Sequence, residues 1–133
     1  MFSIRVAAIL VFLLFTSMAN AQKTRIATGM WGGLHINLEV GRNSAKVEYD
    51  CAHGSISGPL VVDDNGKFEL RGNFTPERGG PVRADDTSQA QEATYAGTIN
   101  GNTMTLTLKI AGADETETFT LERGKAGRLV KCK

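Results

Sequence analysis

Histidines, cysteines and a knot of carboxylates are the side chains in this sequence with chemistry to offer. Their densest grouping is Glu48-Tyr49-Asp50-Cys51-Ala52-His53, with His35 a short way upstream. Imidazole and carboxylate are the ligands a zinc ion takes, so His35 and His53 are the candidate metal ligands, with Asp50 and Glu48 beside them. Strand alternation opposes that site. It puts Glu48 and Asp50 on one face and Cys51 and His53 on the other, and leaves His35 with only Asn37 and Glu39. Solvated strand-face charges and a strand-end histidine account for the same residues, so no metal or other cofactor is expected.

Cys51 and Cys132 are the two cysteines of the chain. A thiolate nucleophile at Cys51 needs a free thiol, whereas Cys132 sits one residue from the C-terminus, a poor place for chemistry and a good one for a staple. In an oxidising compartment an even cysteine count means pairing, so a Cys51–Cys132 disulfide is expected. Closing so long a loop contributes roughly 4 kcal/mol on the chain-entropy account. Ser44, Ser55, Ser57 and Ser88 lack the glycines of a nucleophile elbow. Asp63-Asp64 and Asp85-Asp86 read as turn residues, and no acid–base carboxylate couple stands out. No catalytic residue is predicted.

The longest predicted connection, residues 75–91, holds the remaining candidates. Glu77-Arg78-Gly79-Gly80-Pro81-Val82-Arg83 presents two arginines around a Gly-Gly-Pro turn. Their guanidinium groups suit a carboxylate or phosphate on a ligand or partner, and long loops at a barrel end often carry function. Glu77, Arg78 and Arg83 are therefore the candidate binding residues; the alternative is a solvated loop that binds nothing. Asn73-Phe74-Thr75 matches a glycosylation acceptor, but Phe74 is predicted to face inward.

Residues 1–21 bound where these groups work. Arg5 precedes the apolar run of residues 6–15, and Ala19-Asn20-Ala21 supplies the small-x-small pattern of a signal-peptidase site. The run is too short to span a bilayer, which takes about 20 residues. Cleavage after Ala21 is expected, leaving 22–133 as one domain in a periplasmic or extracellular compartment. The whole chain has 15 basic and 14 acidic residues, so loss of Arg5 with the leader leaves a balance. Scattered charge of that kind excludes a nucleic-acid face and a polybasic lipid attachment. A small molecule or a protein remains as partner, and the chain is expected to be a monomer.

Past the leader, apolar residues recur at every second position, the mark of half-buried strands. Met104, Leu106, Leu108 and Ile110 alternate with Thr103, Thr105, Thr107 and Lys109, and Asn100-Gly101 before them is a strong hairpin signal. A second hairpin is predicted between 56–62 and 67–74 through Asp63-Asp64-Asn65-Gly66. The same parity runs through Leu34 to Val40, Val47 to Cys51, and Phe119 with Leu121; residues 128–132 complete about eight strands. An all-β meander of this kind closes as a small barrel, which removes exposed edges, or stacks as a two-layer sandwich. Trp31 has the opposite parity to Leu34 and Ile36, so a bulge is expected at Gly32-Gly33. Phe68, Phe74, Tyr95, Met104 and Phe119 point inward and fill much of so narrow a barrel.

Thr28-Gly29-Met30-Trp31 resembles the G-x-W start of the first strand in the calycins, the lipocalin and avidin group of up-and-down barrels. That resemblance implies that Trp31 plugs one end, under an arginine from the last strand; Arg128 is the residue in that place. The avidins stack their ligand on several tryptophans and this chain has one, so biotin is not implied. In size, leader, single disulfide and early G-x-W the chain is also similar to small periplasmic inhibitors of bacterial metalloproteases. Those insert an N-terminal segment into the protease cleft, and residues 22–27 correspond to it. The function expected is that of an exported, non-catalytic barrel binding a small molecule or protein through one end, with Glu77, Arg78, Arg83 and Trp31 as contacts. An inhibitor acting through the N-terminal arm is the alternative, and a metal-dependent enzyme built on His35 and His53 comes last.

Overall fold

A computed structural model describes residues 23–77 and 89–132. Among these the fold is a closed antiparallel barrel of eight strands. β2 (Gly29–Gly33), β3 (Ile36–Val40), β4 (Ser44–Tyr49) and β5 (Ala52–Ser57) are followed round the wall by β7 (Lys67–Pro76), β8 (Gln91–Asn100), β9 (Thr103–Ile110) and β10 (Thr116–Arg123), which pairs back onto β2. Two short strands, β1 (Thr24–Arg25) and β6 (Val61–Val62), form a separate pair. The barrel, not the sandwich, is the architecture.

The alternation read from the sequence is the alternation of the wall. Met104, Leu106 and Leu108 are buried between exposed or half-exposed threonines. The interior is filled: Trp31, Tyr95, Ile36, Leu38, Ile56, Met104, Leu106 and Leu121 are each under 2 % exposed. Glycine makes room where two walls crowd. A side chain at Gly54 or Gly72 would collide with Tyr95, and the Phe68 ring lies over Gly97, its partner across the strands.

Four expectations are corrected. Gly32-Gly33 is no bulge: the chain reverses over Leu34-His35, so Gly33 pairs with Ile36 and Trp31 with Leu38, both facing inward. A tight hairpin solves the parity conflict by turning the chain, not by slipping its register. It also makes two strands of the segment read as one. His35 takes the cost of the turn at φ 66°, the sole non-glycine residue at positive φ among those described, a conformation histidine tolerates better than most. Gly32 and Gly33 instead permit close approach of Lys125–Gly127 and of Thr120.

Residues 128–132 form no strand. They are the end of a strap that crosses the outside of the β2–β3 hairpin, held to it by a parallel bridge of Leu34 with Arg128 and by the Gly127 amide, which donates to Asn37 Oδ1 at 3.0 Å. Arg128 consequently does not cover Trp31; Arg123, the last residue of β10, does, with its guanidinium carbon 4.6 Å from the ring centroid. The predicted partner of 67–74 is shifted as well. β5 begins at Ala52 and pairs with β7 only as far as Ile56 with Gly72. The chain then departs at Gly58, and Val61–Val62 joins the N-terminal Thr24–Arg25.

That excursion seals one end of the barrel. The Ile26 amide donates to Leu60 O at 2.9 Å, and Ile26, Leu60 and Val62 pack into the core. The Asp63 carboxylate accepts from the amides of Asn65 and Lys67 and fixes the turn that follows. At the opposite end lie the β2–β3 and β4–β5 turns, the β9–β10 loop and the residues flanking the long connection.

Candidate functional site

The opposite end carries two arrangements, one outside the wall and one within the mouth. On the outside, the strap ends over the β4–β5 turn. The Asp50 carboxylate accepts from the Val130 amide at 2.8 Å, and Asp50 O accepts from the Cys132 amide at 3.2 Å. A Cys51–Cys132 disulfide closes the strap, with Cα atoms 5.2 Å apart. Asp50 also meets His35 Nδ1 at 2.5 Å, which ties the strained hairpin to the same turn.

Beside it, His53 Nδ1 lies 2.9 Å from Glu77 Oε1, and Lys131 Nζ donates to Glu77 Oε2 at 3.3 Å and to Tyr49 O at 2.9 Å. Burial raises the Glu77 carboxyl, but the hydrogen bonds from His53 and Lys131, with the Lys131 charge, outweigh it and hold that carboxyl below its ordinary range.

The face assignment of this cluster is corrected. Glu48 and His53 are register partners on one outer face, because the chain turns over between them. Even so, His35 and His53 are bound to different carboxylates, and among the described residues no group of three or more potential ligands could hold a metal. Cys51, two residues before His53, is consumed in the disulfide. The cluster staples the strap to the barrel.

Within the mouth, Tyr49, Phe74, Ile110 and Phe119 occupy inward positions near the ends of four strands. Phe74, Ile110 and Phe119 are only half-buried, unlike the layers beneath them. The Tyr49 ring centroid is 5.4 Å from that of Phe74 and 5.5 Å from that of Phe119. The Tyr49 hydroxyl donates to the Tyr95 hydroxyl at 3.2 Å, and Tyr95 donates on to Asn73 O at 2.8 Å. Burial pushes both phenols above their ordinary value. At Tyr49 the neighbouring Tyr95 and the negative charge of Glu117 add to that effect.

Glu117 is the residue the sequence reading passed over. It pairs with Leu108 and shares the parity of Phe119 and Leu121, so it stands at an inward position on the rim. Gln91, opposite Phe74, is an uncharged polar companion at this mouth. The signal was present in the sequence: an acidic residue on the apolar phase of the alternation Glu117, Phe119, Leu121.

Of the predicted contacts, Glu77 lies at this end, on the outer network. Arg78 and Arg83 fall outside the described residues, as do most of the 75–91 connection and the leader 1–21. Trp31 is 1 % exposed beneath Arg123. The arm at 22–27 is held in place from Thr24 to Ile26 by pairing and burial.

The class this defines is a small closed antiparallel barrel, stapled by one disulfide, sealed at one end and aromatic at the other. No family model, curated protein or solved structure matches the chain. No helix among the described residues is long and apolar enough to cross a membrane.

Proposed function

We propose that this chain is an exported, non-catalytic binding barrel that receives a small molecule at the mouth formed by Tyr49, Phe74, Ile110 and Phe119. The contrast between the two ends supports this most directly. One end is closed by Ile26, Leu60 and Val62, while the other leaves three large apolar side chains half-exposed around a buried phenol. Partly open apolar rings with few polar groups are what small-molecule sites are made of. Export rests on the leader and on the disulfide, which persists in oxidising compartments. A calycin-like relationship is supported by the eight-strand meander and by Trp31 under Arg123 at the end of the last strand.

Binding through the N-terminal arm, as in a protease inhibitor, gains less support. Ile26 would have to leave the core and Thr24–Arg25 their partner strand before the arm could enter a cleft. The test is to follow the aromatic NMR signals of the disulfide-bonded protein while titrating small amphiphiles. Shifts at Phe74 and Phe119 that vanish in Phe119→Asp support the mouth. Shifts confined to the outer wall, or none with any compound, refute it.

A further inference from the structure

We propose that the mouth selects ligands bearing a positive charge on an apolar body, held by the Glu117 carboxylate against the rings of Phe74, Phe119 and Tyr49. The inference rests on the mouth being the binding site and adds the chemical class of its occupant. It starts from the inward positions of the barrel. Nearly all are apolar, glycine or tyrosine, and two are charged: Arg123 and Glu117. These belong to opposite ends of β10.

Arg123 at the sealed end has its counterpart within the protein, the face of Trp31. Guanidinium over an aromatic face is a matched pair. Glu117 is the reverse case. Glu117, exposed at the inward rim position of β10, adds a negative charge on the same rim as rings whose faces are electron-rich. Its negative charge already reaches the Tyr49 phenol.

Among the described residues, the other charges at this end leave that field in place. Lys131 and His53 are engaged with Glu77, and His35 with Asp50, all on the strap side of the wall. Lys109 occupies an outward position, paired with Thr116. Asp114 and Glu115, exposed on the β9–β10 loop next to Glu117, are negative as well. An ammonium group entering between the rings meets a carboxylate and quadrupoles of the right sign, whereas an anionic ligand meets repulsion on both counts.

The test compares benzylammonium with benzyl alcohol, of similar size and shape, by NMR titration of the full disulfide-bonded chain at low salt. Benzylammonium is expected to bind about tenfold more tightly, the scale of a desolvated cation–aromatic contact. Glu117→Gln should bring the two probes together by weakening benzylammonium alone. Glu122→Gln, which removes a charge from the outer face of the same strand, should leave both affinities unchanged. Equal affinities in the unaltered protein, or benzylammonium binding undiminished by Glu117→Gln, would overturn charge selection while sparing the mouth. Failure of both probes to shift Phe74 and Phe119 would remove the binding site itself and the inference with it.

Discussion

Tyr49→Phe should destabilise the unaltered barrel and stabilise a barrel that already carries Tyr95→Phe. The sign reversal follows from the direction of the hydroxyl chain. Tyr49 donates to Tyr95, which donates to Asn73 O, and Tyr95 is fully buried. Removing the Tyr49 hydroxyl deletes one hydrogen bond and leaves Tyr95 still donating, a loss of about 1 kcal/mol. Removing the Tyr95 hydroxyl deletes both bonds and strands the Tyr49 hydroxyl at a buried position. An unsatisfied buried group costs about 1–3 kcal/mol, so Tyr95→Phe should lose roughly 2–3 kcal/mol. In that background Tyr49→Phe deletes only the stranded group and should recover about 1 kcal/mol. Urea unfolding of the four proteins with the disulfide intact gives the cycle. With slopes of about 1–3 kcal/mol/M, each step moves the midpoint by several tenths molar. If Tyr49→Phe loses the same stability in both backgrounds, the hydroxyls are not coupled and this account of the interior polar chain is wrong.

Three further expectations follow from the same geometry. Gly54→Ala should destabilise by about 1–3 kcal/mol, the range of overpacking, although alanine is ordinarily the better strand residue, because its Cβ would meet the Tyr95 hydroxyl and Asn73 O; a thermal or urea melt decides. Cys132→Ser should lose about 4.5 kcal/mol on the chain-entropy account for a separation of 81 residues, and hydrogen exchange should show the amides of His35 and Arg128 losing protection as the strap lifts. Glu77 has its folded carboxyl lowered, so its contribution is present above its ordinary value of 4.5 and is lost as pH falls through the folded one. Glu77→Gln should therefore flatten the loss of stability between neutral and acid pH; an unchanged acid limb would exclude this pair as its source.

The wall of this barrel was legible because the information sits in adjacent residues. Thr103 to Ile110 alternate without a break, and the Asn100-Gly101 turn sends the strand back against β8 as its residue types require. The mouth was half legible. Tyr49, Phe74 and Phe119 fell on the inward phase, and Glu117 shares that phase, but only its pairing with Leu108 puts it on this rim. The strap was not legible, because Val130 and Cys132 alternate like a strand while their amides go to one carboxylate and one carbonyl of Asp50. The hairpin at Leu34-His35 was hidden for a local reason. Two glycines preceding it suggested an irregular strand, whereas the irregular backbone is taken up by His35.

The sequence by itself determined the inward phase of most wall strands, since side chains on an extended chain alternate whatever the strand pairs with, although Leu34, read on that phase, is exposed at the turn. It also determined that the two cysteines had each other as the natural partner. Tertiary structure alone decided which end of the barrel closes, which arginine covers Trp31, and that Glu117 stands on the same rim as Tyr49, Phe74 and Phe119. Those outcomes depend on register and on contacts between distant segments, such as Ile26 against Leu60 and Asp50 against Val130, and no local pattern encodes them.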